Sequence, residues 1–360
     1  MNLNIEIKLF KNLKHFGKVK TGDLVIFTRE LATLSSAGLS LIKSLISLRD
    51  QMSDGKLRWV LSQVIDGVER GDSFSESLSR FPKVFPKLYV NMIRSGEVSG
   101  SLDDILKRLA SLLEKHQRLM KRLRTALIYP AFVLSMALII LSLLMIFVVP
   151  TFTKIFADLG GELPKPTQFL IATSNVFKNY WYILLVGVIV VISGIKYLLT
   201  IPIVKYYVDK TVLRVPLFGK LTSRVTISRF TRTLGTLLNS GVPILSALQI
   251  IKETTTNLVY ANCIPRIAES VKEGESFART LEQTKIFPNL VIKMVGVGEE
   301  TGQLSDMLVK VADNYEEDID ILIASLSSLM EPFLIVFMGL IVGFIVIAMF
   351  LPLFNIAELL

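Results

Sequence analysis

Three stretches of the chain are apolar almost without interruption, and the remainder alternates apolar and polar residues at helical spacing. Residues 131–149 contain no charged side chain in 19 positions, and residues 333–351 repeat that pattern. Residues 180–199 contain one, Lys196, near the end of the run. At 1.5 Å per residue, 19 residues cover about 28 Å, close to the ~30 Å hydrocarbon core of a bilayer. The pattern predicts three transmembrane helices. Pro130 and Pro150 bound the first, and Pro332 and Pro352 bound the third. A buried helix of a soluble protein is the competing explanation, and three such runs in one chain argue against it.

Between these runs the pattern is that of amphipathic helices. Thr21 can cap a helix reaching Ser36, with Gly38 just past its end. Ser40 opens a second, to about Met52. Residues 56–70 place Leu57, Val60, Leu61, Val64, Ile65 and Val68 on one face, and Gly71 closes them. Ser73-Phe74-Ser75-Glu76 fits a capping box. Pro86 suits the first turn of a fifth helix that ends near Gly96. Ser101 caps a sixth, which is expected to run from Leu102 into the first span.

Shifting the chain by about 203 residues lays it over itself. Phe27-Thr28-Arg29 meets Phe230-Thr231-Arg232, and Gly38 meets Gly241. Phe74 meets Phe277. After a one-residue slip Phe85-Pro86 meets Phe287-Pro288, and Gly96-Glu97, Gly100 and Pro130 meet Gly298-Glu299, Gly302 and Pro332. Two copies of one six-helix unit, each leading directly into a span, account for this register. Pro243 takes the first-turn role in the second copy. The fold class expected is all-α: two homologous six-helix cytoplasmic bundles plus three transmembrane helices. Two equivalent outward crossings require one return crossing, and 180–199 supplies it, so the repeats are parallel.

Charge adds an orientation. Residues 1–130 carry 22 Lys and Arg against 13 Asp and Glu, whereas 200–331 carry 14 against 15. Lys115, Arg118, Lys121, Arg122 and Arg124 crowd the start of the first span; Lys205, Lys210 and Arg214 follow the second. The positive-inside rule places both repeats in the cytoplasm. The resulting map is a basic segment 1–20, repeat one at 21–130, a span at 131–149 and an extracytoplasmic loop at 150–179. A second span at 180–199 follows, then repeat two at 200–332, a third span at 333–351 and an extracytoplasmic tail at 352–360. Tyr180, Trp181 and Tyr182 form an interfacial belt on the far side. Segment 1–20, with Lys8, Lys11, Lys14, Lys18 and Lys20, lacks the apolar core of a signal peptide. It is either an amphipathic segment on lipid or a partner, or a frayed terminus.

The residues offer little for chemistry. One cysteine, Cys263, excludes an internal disulfide, and two histidines, His15 and His116, have no catalytic motif around them. Gly-Lys pairs at 17–18, 55–56 and 219–220 lack the rest of a phosphate-binding loop. Aromatic interleaving for nucleic acid is missing. No catalytic, cofactor or metal residue is assigned, and an enzyme is not expected. Gly96-Glu97 and Gly298-Glu299 are the strongest local signals. They read as turns between helices five and six, with the carboxylate on the next helix's first amides, or as a cation or partner contact. Glu331, ahead of Pro332, is either interfacial or an intramembrane carboxylate. Phe27, Phe74, Phe230 and Phe277 read as core anchors.

The run Arg122-Leu123-Arg124-Thr125-Ala126-Leu127-Ile128-Tyr129-Pro130, with an apolar span ending Val148-Val149-Pro150, resembles the signature of the type II secretion F / type IV pilus platform family. The repeated Phe-Thr-Arg segments and the two Gly-Glu-x-[Ser/Thr]-Gly segments match it too. In the second copy Glu331 stands where the first has Tyr129. The resemblance covers residues 21–355. It implies an inner-membrane platform, without enzymatic activity, in a pilus, secretion or competence machine. The implied partners are a hexameric assembly ATPase, pilin or pseudopilin subunits, other inner-membrane assembly proteins, the lipid bilayer and further copies of the chain. Lys115 through Arg124 then face either lipid headgroups or an acidic ATPase surface, with lipid as the default. A small transporter, or a membrane scaffold unrelated to filaments, is the alternative function.

Overall fold

The computed structural model describes residues 19–158 and 164–357, and every regular element in them is helical. His15 and most of the basic segment 1–20, including Lys8, Lys11, Lys14 and Lys18, lie outside the described residues. The first repeat forms six helices: α1 (Thr21–Ser36), α2 (Leu41–Gln51), α3 (Lys56–Glu69), α4 (Phe74–Ser79), α5 (Lys87–Ser99) and α6 (Leu102–Leu143). A short π segment, Leu144–Val148, leads to α7 (Val149–Asp158), then α8 (Lys165–Leu198) and α9 (Pro202–Val212). The second repeat gives the same six: α10 (Phe218–Asn239), α11 (Ile244–Thr254), α12 (Leu258–Lys272), α13 (Phe277–Gln283), α14 (Asn289–Glu300) and α15 (Leu304–Ala357).

The chain divides into two compact units. The first joins the residues up to Lys121 with Val212–Ile319, so both repeats share one unit. One continuous set of buried apolar residues runs through it, from Leu24 and Phe27 to Val311 and Tyr315. The repeats use the same anchors. Phe27 packs on Phe85 at 6.3 Å between ring centroids, and their equivalents Phe230 and Phe287 lie at 5.1 Å. Phe27, Phe74, Phe230 and Phe277 are all buried, as the amphipathic pattern requires. Tyr89 differs: it is buried beside Phe85, its hydroxyl accepts a 3.2 Å bond from Thr28, and burial raises its pKa.

The second unit joins Arg122–Thr211 with Asp320–Leu360. Two stretches are long and apolar enough to cross a membrane, Leu102–Lys154 and Leu304–Pro352. A third, Val186–Leu198, counts as a span when taken with Pro202–Val212, from which it is bent by 100°. Pro130 and Pro332 do not terminate helices here; both lie inside α6 and α15. Each forfeits one helical amide, a loss that spanning helices tolerate. Most of 150–179 is helical, and α8 departs from helical geometry at Tyr180 (φ −125°, ψ 20°), the start of the expected second span. Trp181 belongs to the same helix, and its side chain lies outside the described residues. Met145, Val149, Leu170, Ile345 and Ala348 form this unit's core. Thr167 donates to the Ala348 carbonyl at 2.5 Å, and Ser174 donates to the Met145 carbonyl in the π segment. These two buried hydroxyls thus find backbone acceptors, as a low-dielectric interior demands.

Candidate functional site

The Gly-Glu pairs build the same device twice. Gly96 and Glu97 sit in the last turn of α5, which continues to Ser99, three residues beyond the expected end. Gly100 follows with φ +67°, a left-handed conformation natural to glycine, and its counterpart Gly302 has φ +69°. The chain then reverses into α6 so tightly that a Cβ on Gly96 would lie 2.9 Å from Ile105 Cγ1 and 3.2 Å from the Leu102 Cα. On Gly298 a Cβ would lie 2.8 Å from the Leu304 Cα. Glycine is therefore dictated at both positions by close approach of backbones.

Each glutamate then reaches back along the sequence. Glu97 accepts from the amides of Phe74 at 2.6 Å and Ser75 at 3.0 Å, the first two residues of α4. Glu299 accepts from Phe277 at 2.5 Å and Ala278 at 2.9 Å at the start of α13, and from the Ser276 hydroxyl at 2.7 Å. The serine half of the expected capping box forms as well: the Ser73 hydroxyl accepts from the Glu76 amide at 3.2 Å. A helix start leaves its first amides without partners, and an anion there is favoured by the helix dipole. The sequence points to the following helix as the recipient; the recipient is the helix 22 or 23 residues upstream. Both carboxylate oxygens are occupied by backbone amides.

A second assembly of side chains lies within the second repeat and is tied to the first by Lys115. Arg232 on α10 is almost wholly buried and holds Asp313 at 2.5 Å and Glu316 at 2.7 Å, both on α15. Lys115 on α6 reaches the same Asp313 at 2.9 Å. Burial alone would raise the Asp313 pKa; the bonds from Arg232 and Lys115 outweigh it and hold the carboxyl below its usual range. Beside them a crevice of about 30 Å³ is lined by His116, Arg229, Arg232 and Glu316, among others. Burial, then the neighbouring Arg229 charge, pushes the His116 pKa down to about 4. Burial also lowers Arg229, whose Nε is buried without a hydrogen-bond partner. Further contacts cross between repeats, among them Lys87 to Glu253 at 3.0 Å, Ser95 to the Ser240 carbonyl at 2.6 Å, Arg108 to the Asn239 carbonyl at 2.7 Å, and Arg229 to the Met120 sulfur.

The seam explains part of the basic cluster at 115–124. Lys115 is committed to Asp313. In the second unit Arg122 pairs with Asp320. Arg118 pairs with Glu114 on its own helix at 3.2 Å, while Lys121 and Arg124 are exposed. Tyr129 and Glu331 are exposed, and Pro150 opens α7 just after the π segment. Gly38 and Gly241 have φ of +80° and +77° at the matching helix ends. Residues that the sequence did not single out brace the second repeat's side of the seam: Arg232 was visible only as a member of the repeated Phe-Thr-Arg segment, and Glu316 not at all. Their equivalents Arg29 and Glu114 lie 3.5 Å apart in the first repeat, with Arg29 exposed.

What this arrangement does chemically is hold helices together. Cys263 donates to the Tyr260 carbonyl, and burial pushes its thiol up to about 11. His116 is neutral at pH 7 as well. Among the described residues no three His, Cys, Asp or Glu gather in a metal-binding group.

The chain is similar to known proteins over nearly its whole length. The family model described as type II secretion system (T2SS), protein F, matches residues 27–150 and again 230–352, one match per repeat. A type IV pilus assembly protein PilC of Myxococcus xanthus is 40% identical over 342 residues, 95% of this chain and 82% of the relative. A protein of the same name from Thermus thermophilus is 44% identical over 335 residues, covering 93% and 82%. A type II secretion system protein F of Vibrio cholerae is 34% identical over 341 residues, covering 95% and 84%.

Proposed function

This chain belongs to the type II secretion system protein F family, and from that premise we propose that it is the inner-membrane platform of a type IV pilus or type II secretion machine. In this reading both repeats face the cytoplasm and the C-terminal tail lies on the far side. A separate cytoplasmic ATPase docks on the repeats, and the platform passes its motion to membrane-held pilins as they enter a filament. The chain transmits mechanical work without generating it. The observation that carries the reading is the pairing of the seam with α6 and α15. The contacts across the seam, Lys115 to Asp313 among them, bind the repeats into one unit, and the two helices that leave it continue without a break through Pro130 and Pro332. A displacement of the repeats is thereby delivered to two membrane helices together.

Affinity capture of the full chain from solubilised membranes tests this, combined with deletion of the gene. Pilin-like subunits and an ATPase are expected in the same eluate, and the deletion strain should make pilin but no filament. Normal filaments in that strain refute the proposal. Cysteine labelling from either side of the membrane checks the orientation.

A further inference from the structure

Helix α9 has the composition of a core helix and the exposure of a surface one. It carries Ile203, Val204, Tyr206, Tyr207, Val208 and Val212, yet none of its residues is buried, and Ile203 and Tyr207 are 70% and 63% exposed. At 3.6 residues per turn, Ile203, Val204, Tyr207, Val208 and Thr211 fall within an arc of about 140°. Lys205 and Asp209 lie on the opposite side. Lys210 borders the apolar arc, 6.0 Å from the Tyr206 ring centroid, placed for its stem to lie along apolar surface while the ammonium reaches outward.

The helix is also held at a defined angle. Val186–Leu198 and Pro202–Val212 meet at 100°. The corner is braced by hydrogen bonds: the amides of Leu199, Thr200 and Ile201 donate to the carbonyls of Ile195, Tyr197 and Leu198, and the Thr200 hydroxyl donates to the Tyr197 carbonyl at 2.6 Å. Pro202 has no amide to continue the preceding helix, and its fixed φ suits the start of a new one. Lys205 then donates to Ile201 at 3.0 Å. A helix set nearly perpendicular to a spanning helix, at its end, runs along the bilayer surface. Four cations, Lys196, Lys205, Lys210 and Arg214, surround the corner against one acid, Asp209.

We infer that α9 is an interfacial anchor, lying flat in the headgroup layer with Ile203, Tyr207 and Val208 turned into the acyl boundary and Lys205, Lys210 and Arg214 engaging anionic lipid headgroups. Amphipathic helices with basic polar faces and aromatic rings occupy that layer. The inference rests on Val186–Leu198 crossing the bilayer, but not on the direction of the crossing. Its consequence is that the return span cannot tilt or slide freely, because the corner fixes its depth.

The test uses the full chain with Cys263→Ser, spin-labelled singly at Ile203→Cys, Tyr207→Cys, Thr211→Cys or Val190→Cys. Depth is read from oxygen and nickel-chelate accessibility in vesicles of phosphatidylcholine, with or without phosphatidylglycerol. The labels at 203, 207 and 211 should report one shared headgroup depth, and Val190 a deep one. Phosphatidylglycerol should draw the three deeper, and Lys205→Gln with Lys210→Gln should abolish that difference. Three readings overturn the inference: steps of about 6 Å from 203 to 207 to 211, as for a helix along the membrane normal; free access of nickel at all three; or exclusion of both reagents in detergent as well as in vesicles, which marks a protein cover. A shallow Val190 label removes the span itself, and with it the inference.

Discussion

Replacing Glu97 tests the cap most directly. The carboxylate accepts two amides, at 2.6 and 3.0 Å, belonging to Phe74 and Ser75, whose side chains are buried. A hydrogen bond to a charged group contributes about 1.5–3 kcal/mol, and a buried donor left without an acceptor loses its solvation as well. Glu97 is itself half-buried, so water can re-solvate part of the vacated space. Glu97→Ala should therefore destabilise the repeat by about 3 kcal/mol. Glu97→Gln keeps one acceptor oxygen but turns an NH2 group toward the second amide, and should cost about half as much. Glu299→Ala should cost at least as much as Glu97→Ala, because the Ser276 hydroxyl loses its acceptor too. Denaturant unfolding of the full chain in micelles measures the change. Hydrogen exchange locates it, with protection falling first at Phe74 and Ser75, or at Phe277 and Ala278. A Glu97→Ala protein with wild-type unfolding and unchanged exchange would falsify the cap. If Glu97→Gln keeps wild-type stability but loses filament assembly, the carboxylate serves a partner instead.

Further expectations concern the turn, the crevice and the seam. Gly298→Ala should be worse than Gly100→Ala: the first drives a Cβ to 2.8 Å from a backbone atom, an overpacking cost of about 1–3 kcal/mol, while the second meets only the left-handed φ of +67°, about 1 kcal/mol. Matched unfolding curves rank them. His116 is neutral in the fold, with Arg229, Lys115, Arg232 and Glu316 around it, and binds a proton more readily once unfolded. Stability it supports is complete above about pH 6.5 and declines as pH falls toward 4, by up to about 3 kcal/mol. A His116→Gln variant should lose that portion of the slope, and an unchanged pH profile would remove the assignment. Arg232→Ala leaves Asp313 with Lys115 alone and Glu316 unpaired; because both acids are partly exposed, a loss of about 2 kcal/mol is expected rather than the 3–5 of a sealed pair. Equal stability of Arg232→Ala and wild type would show that the seam is solvated.

Local pattern carried most of the fold. The six helices of each repeat, the capping box at Ser73 and the buried phenylalanines follow from spacing, because amphipathic periodicity and caps are short-range signals. What escaped is long-range. Glu97 looked like a turn residue because nothing within a few positions shows that α4 begins beside it in space. Lys115 and Arg122 looked like headgroup ligands because their acids lie 198 residues away. Pro130 marked the edge of the uncharged run, and the sixth helix expected to pass from Leu102 into the span does pass through it. The 100° corner after Leu199 falls where the second uncharged run was expected to end, but the end of a run carries no angle.

The two repeats differ where they meet, and that difference gives the charge distribution a structural meaning. Adding the repeat offset of 202 to Lys115 gives Glu317, and to Arg118 gives Asp320; Asp313 corresponds to Ser111. The sixth helix of one copy is thus basic and that of the other acidic, while the internal caps at Glu97 and Glu299 are unchanged. Across the copies, Lys115 meets Asp313 within the first unit and Arg122 meets Asp320 within the second, while Arg232 braces Asp313 and Glu316 from inside its own repeat. Two identical copies would set like charges against each other along this line, a cost that rises as the groups are desolvated. Opposite charge makes each repeat the other's partner. The basic excess of the first third of the chain is consequently not only a membrane-orientation signal. Part of it is one half of a complementary seam, and the near-neutral second repeat conceals the other half because its acids are offset by cations elsewhere on its surface.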